Sequence, residues 1–190
     1  MPLEALMYFD AYGPFDVATV DGKITAAQKS FWKEVRAQSA KYGYDDDKLE
    51  CSFGAYVFGI QWGPKLTPWY VGQTIAKTGF RGEIFQFHKL KIYNRVMRKN
   101  NGTPVIFLFP LLTPEDRFSQ SRTELNKRLV DWVEKMLLGL AFAKNENCRN
   151  KRGMKFLREC TVNGVMGPRY RGRPERQAAK AKSLLFPSIP

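Results

Sequence analysis

Two tyrosines, an arginine and a glutamate in this 190-residue chain are of types that can work on a phosphate diester. Tyr56 closes the triplet Gly54-Ala55-Tyr56, Tyr70 opens Tyr70-Val71-Gly72, Arg81 stands near the start of a helical stretch, and Glu134 lies midway along a later one. Hydrolysis of such an ester needs an activated water, neutralisation of charge on the phosphoryl oxygens, and stabilisation of the leaving alkoxide. A pair of phenols, a planar guanidinium fork and a carboxylate holding a cation can divide those tasks. A hard oxygen ligand with open water positions suits Mg²⁺ or Mn²⁺. Each residue also has a plainer reading. Strand tyrosines commonly fill a sheet face, an arginine in the first turn of a helix is commonly solvated, and a helix glutamate near Lys127 and Lys135 commonly pairs at the surface.

The elements that must position these residues follow from the hydropathy pattern. Residues 53–62 and 69–74 are β-rich runs separated by the Gly63-Pro64 break and Pro68, which predicts an antiparallel pair joined by a loop. A helix is expected over about residues 80–99, stopped by Asn100-Asn101-Gly102, and the apolar run 105–111 reads as a central strand. Ser121 or Thr123 can cap a second helix, along which Leu125, Leu129, Trp132, Val133, Met136, Leu137 and Leu140 recur at helical spacing. Upstream, residues 25–42 form a helix-like stretch with Phe31, Trp32 and Val35 on an apolar face, read as an accessory element. The order β-β-α-β-α implies an α+β fold, a small and mainly antiparallel sheet flanked by helices. That core spans residues 51–152, between an N-terminal helical extension (1–50) and a basic C-terminal tail (153–190).

On those elements the two triplets resemble the GIY-YIG nuclease module, which is named for such a pair of tripeptides on adjacent strands. The likeness runs through Gln73-Thr74, the polar positions usual after the second motif. It continues to Arg81, where the family has its helix arginine, and to Glu134, where it has its metal-binding glutamate. It covers roughly residues 52–152. The resemblance implies a metal-dependent endonuclease acting on DNA. In it Tyr56 is the general base or orients the attacking water, and Tyr70 hydrogen-bonds that water or the scissile phosphate. Arg81 clamps the phosphate, and Glu134 binds Mg²⁺ or Mn²⁺. A phenol with a pKa of about 10 needs help to act as a base, so the cation and Arg81 are expected to favour phenolate character in Tyr56.

Some positions depart from the family pattern. Ala55 stands where a larger aliphatic residue is typical. One turn after Arg81, where a histidine or tyrosine is common, the chain has Phe85, and its only histidine, His88, comes two turns on. Arg81, Phe85, His88 and Ile92 recur at helical spacing and should share one stripe. His88 is therefore a candidate proton shuttle or phosphate contact, against the plainer reading of a structural helix histidine. For the family's downstream asparagine, Asn145, Asn147 and Asn150 compete; the turn Asn147-Cys148-Arg149-Asn150 favours Asn150, with Asn147 the alternative and ordinary turn residues the plain reading.

The formal charge of +13 points to a polyanionic partner, nucleic acid ahead of an anionic membrane. Residues 1–50 carry a net −3, residues 51–148 a net +7 and residues 149–190 a net +9. Lys89, Lys91, Arg95, Arg98 and Lys99 are expected to form a phosphate-tracking face on the first helix. Arg169, Arg171 and Arg173 lie in the basic tail, which is either a solvated terminus or an arm that contacts DNA. No apolar run reaches the roughly 18 residues of a membrane span, and the start of the chain lacks a secretory pattern; a cytoplasmic protein is expected. Three cysteines, Cys51, Cys148 and Cys160, without a C-x-x-C pair fit neither a disulfide framework nor a zinc site. Three functions compete: a DNA endonuclease, a catalytically inactive nucleic-acid-binding module of the same fold, and a basic scaffold that binds RNA or protein. Sequence specificity in the first would come from the N-terminal helix, the tail, a homodimer or another partner.

Overall fold

The computed structural model describes residues 7–41, 49–150 and 176–185. In chain order its elements are β1 (Tyr8–Phe9), β2 (Tyr12–Asp16), β3 (Thr19–Val20), β4 (Lys23–Ile24), α1 (Lys29–Lys41) and a 3₁₀ turn (Leu49–Cys51). There follow β5 (Gly54–Trp62), β6 (Lys65–Thr74), α2 (Gly79–Glu83), α3 (Phe87–Met97), β7 (Thr103–Leu112), α4 (Glu124–Lys144) and α5 (Arg176–Leu185). The fold is α+β with an antiparallel sheet flanked by helices. β5 lies between β6 and β7, and β1 and β2 pair with the other side of β7, so the apolar β7 run is interior as expected.

Between residues 62 and 69 the structure departs from the expected loop. Gly63, at φ +55°, turns the chain at once, and β6 begins at Lys65, opposite Trp62. Pro68 is thereby inside the strand. It sits where the register steps from Phe58↔Tyr70 to Gly59↔Pro68, on an edge strand, a place where a missing N–H is tolerated.

Side chains alternate across a strand, so Tyr56, Phe58, Ile60 and Tyr70 share one face while Val57 and Val71 take the other. The first face buries against α1, α2 and α3 through Phe31, Val35, Phe80, Ile84, Phe85, Tyr93 and Val96. The second packs on α4 through Leu138, Ala141 and Phe142, while Val130 of the same helix meets Phe53 and Leu111. Of the two possible caps for α4, Thr123 is the one used: its hydroxyl accepts from the Asn126 N–H at 3.1 Å.

The segment expected to be an accessory element is built into this framework. β1 and β2 extend the sheet, Phe15 is buried, and the Phe31 ring meets the Phe15 and Phe85 rings edge-on at 5.7 and 5.1 Å. No helix among the described residues is long and apolar enough to cross a membrane.

The single helix expected over residues 80–99 is two. Gln86 is extended (φ −61°, ψ 149°) and starts α3 afresh after α2 has ended. The break rotates α3 relative to α2, which dissolves the predicted stripe. Phe85 is buried, Arg81 and His88 are exposed, and the inward face of α3 is Lys89, Tyr93 and Val96.

The register of the hairpin places Gly72 opposite Tyr56, and the Tyr56 ring lies across the glycine: a Cβ there would overlap the ring carbon that bears the hydroxyl. Gly72→Ala should therefore lower stability by about 1–3 kcal/mol through overpacking. Urea unfolding measures this, and an unchanged midpoint would mean that the ring does not sit on the glycine.

Candidate functional site

Hairpin register puts Tyr56 and Tyr70 on the same face of neighbouring strands, offset by two residues, with ring centroids 6.3 Å apart. Tyr93 of α3 closes the space beneath, 6.0 Å from Tyr70 and stacked on Phe58 at 4.2 Å. One helical turn before Tyr93, Lys89 enters the same space. Its Nζ donates to the Tyr70 hydroxyl oxygen at 2.6 Å, pairs with Glu83 Oε1 at 3.1 Å, and lies 4.8 and 5.8 Å from the Tyr70 and Tyr56 ring centroids. Only 7% of Lys89 is exposed. Burial works against its charge, but the hydrogen bond to Tyr70 and the attraction of Tyr70 and Glu83 outweigh it, and its pKa is raised overall. Lys89 is thus a resident buried cation rather than part of the surface phosphate-tracking face.

Tyr56 is wholly buried, and its hydroxyl has no hydrogen-bond partner among the described residues. The Tyr93 hydroxyl is near enough to influence it, yet no bond of sound geometry joins the two. Burial first, then Tyr93, Tyr70 and Glu83, push its pKa well above the tyrosine range. This reverses the expectation of phenolate character. Arg81, the residue expected to favour phenolate, instead donates from Nη1 to both oxygens of Glu50 at 3.0 and 3.1 Å.

Glu134 stands on α4, the helix that covers the opposite face of the sheet, and feels the charges of Lys89 and Glu83. It is half-buried and makes no hydrogen bond or ion pair with a described residue; its neighbours Lys127 and Lys135 pair with Glu124 and Asp131 instead. Desolvation, followed by repulsion from Asp131 and Glu83, raises its pKa, while Lys89 and Lys135 partly offset them. Glu134, Glu83 and Lys89 are therefore one electrostatic unit with Tyr70. No group of three or more His, Cys, Asp or Glu side chains is gathered for a metal among the described residues. A largely hydrated Mg²⁺ or Mn²⁺ needs only one or two carboxylates, and an unpaired carboxylate under repulsion from two acids fits that donor set.

Asn150 is buried beside the site. Its side chain accepts from the Val71 N–H at 2.9 Å and donates to the Val71 carbonyl at 2.6 Å, pairing with the edge of β6 as a strand would. It therefore fixes the backbone between Tyr70 and Gly72. Asn145 donates to the Pro68 carbonyl at 2.7 Å, and Asn147 is exposed.

His88, Lys91 and Arg95 of α3, and Arg98 and Lys99 just after it, are exposed. Arg169, Arg171 and Arg173 fall outside the described residues. Sequence reasoning passed over Glu83, Tyr93 and Glu50. The one available signal was the spacing of Lys89, Tyr93 and Val96, which marks a single stripe once α3 is started at Phe87. Comparisons with protein-family models, with curated proteins and with solved structures gave no match to this chain.

The raised pKa of Glu134 means that the native state disfavours its ionised form. The wild type should then lose stability as pH climbs from the usual glutamate range, about 4.3, through the raised value. Glu134→Gln is expected to melt higher than wild type at pH 8 in metal-free buffer, and the two should converge below about pH 4. A gap that does not change with pH would show that Glu134 is not desolvated.

Proposed function

We propose that this chain is a metal-dependent endonuclease that hydrolyses DNA phosphodiester bonds with a GIY-YIG-type site. The observation that carries the reading is the packing of Tyr56 and Tyr70, singled out by the two triplets, against one buried cation, Lys89, whose charge Glu134 of α4 also feels. Because Lys89 donates to the Tyr70 oxygen, the proton of Tyr70 is left to point elsewhere, toward a phosphoryl oxygen or the attacking water. Tyr56, held neutral by burial, does not accept a proton in the free protein, and its hydroxyl orients the water only once the site has opened to admit it. Glu134 would hold Mg²⁺ or Mn²⁺, which when bound supplies Lewis-acid neutralisation of the phosphoryl charge. Arg81 adds a fixed positive charge from α2, and the exposed face of His88, Lys91, Arg95, Arg98 and Lys99 attracts the backbone regardless of sequence.

A specific observation favours a second reading, the catalytically inactive nucleic-acid-binding module. The Tyr56 hydroxyl is sealed from solvent, and Arg81 is engaged by Glu50. Those two features fit a site that would bind a backbone without cutting it.

Plasmid nicking separates the two. The wild type is expected to nick with Mg²⁺ or Mn²⁺ and not with EDTA. Glu134→Ala and Arg81→Ala should each lose on the order of 100-fold or more in cleavage while folding and DNA binding stay largely intact. Equal cleavage by wild type and both variants would sink the mechanism; salt-sensitive binding without any cleavage would favour the binding module.

A further inference from the structure

Arg36 of α1, Glu50 of the 3₁₀ turn and Arg81 of α2 meet at one point. The Glu50 carboxylate is buried, with its side chain 9% exposed, and accepts from Arg36 Nη1 at 2.8 Å and from Arg81 Nη1 at 3.0 and 3.1 Å. The two arginine side chains are 52% and 54% exposed. Each commits only Nη1, and neither makes another hydrogen bond or ion pair among the described residues.

One arginine would neutralise the carboxylate. The second leaves a net positive charge and two half-exposed guanidinium groups gathered on one carboxylate, their other donors unbonded among the described residues. Neutralising the carboxylate is a weak reason for the second, because Arg36 alone already pairs it and both arginine side chains are half exposed. A phosphodiester, with two unesterified oxygens sharing one negative charge, is the complementary ligand. The place also fits. On α2, Arg81 stands between Phe80, whose ring is 6.4 Å from that of Tyr56, and Glu83, which holds Lys89.

We infer that Arg36 and Arg81, aligned by Glu50, form a cradle for a backbone phosphate of a nucleic acid beside the tyrosine site. Arg36 belongs to the N-terminal region, outside the stretch that resembles the nuclease module, so this region supplies part of the binding surface. The inference rests on the nucleic-acid part of the proposed function and is independent of cleavage.

The test is the salt dependence of binding to a fluorescent DNA duplex of arbitrary sequence, without divalent metal. Arg36→Ala should weaken binding about tenfold and reduce the slope of log K against log[salt] by about 0.9, one phosphate contact. Glu50→Gln is the sharper variant. It raises the net charge by one, so a simple charge effect predicts tighter binding, whereas loss of the carboxylate that aligns the forks predicts weaker binding. Thermal melts confirm that each variant is folded, and Arg36→Ala leaves Glu50 paired with Arg81 if the glutamine variant does not fold. An unchanged slope for Arg36→Ala, tighter binding by Glu50→Gln, or no binding by wild type at low salt would each overturn the cradle. Wild type that binds and never cuts would leave it standing and sink the nuclease reading instead.

Discussion

A phenol ring laid across the backbone of the neighbouring strand tolerates no side chain beneath it, and Tyr56 over Gly72 is that arrangement. The contact needs the hairpin in a single register, because a slip of one residue turns every side chain to the opposite face. With the register set, Tyr70 comes to lie beside Tyr56 on the side facing α3, and Val71 points to α4. Asn150 then clips both backbone groups of Val71, so the strand that carries Tyr70 is held from its open edge as well. The glycine in the second triplet is therefore a packing requirement of the tyrosine in the first. The spacing of the two motifs has a structural cause whatever chemistry they perform.

Charge inside this framework is arranged around Lys89. A lysine so deeply buried is ordinarily pushed toward its neutral form, yet Glu83 and the Tyr70 oxygen hold it charged. The same cation moderates the repulsion among Glu134, Asp131 and Glu83. Tyr56, its hydroxyl without a hydrogen-bond partner among the described residues, has its pKa raised as well, which keeps the phenol neutral within a few ångströms of the charged lysine. A neutral phenol, a fixed cation and a carboxylate short of a counter-charge thus influence one another across this part of the fold.

The N-terminal residues matter to this site through packing and charge alike. β1 and β2 pair with β7, Phe31 packs against Phe85 just after α2, and Arg36 shares Glu50 with Arg81. The position of α2, and with it of Arg81 and Glu83, depends on residues far upstream in the chain.

The sequence by itself determined the α+β class, the β hairpin followed by helical chain, strand and long helix in the core, the interior strand β7 and the residues of the two triplets, and it narrowed the cap of α4 to Ser121 or Thr123. These are encoded by neighbours along the chain, where periodicity, turn residues and caps act over a few positions. It did not determine which side of α3 faces the tyrosines. That followed from the extended conformation of Gln86, which turned Lys89 inward and left His88 in water. Nor did it determine that Arg81 meets Glu50 or that Tyr56 is sealed and held neutral. Burial and ion pairing depend on groups tens of residues apart, and only their tertiary meeting decides the sign of a pKa shift or the partner of a charge.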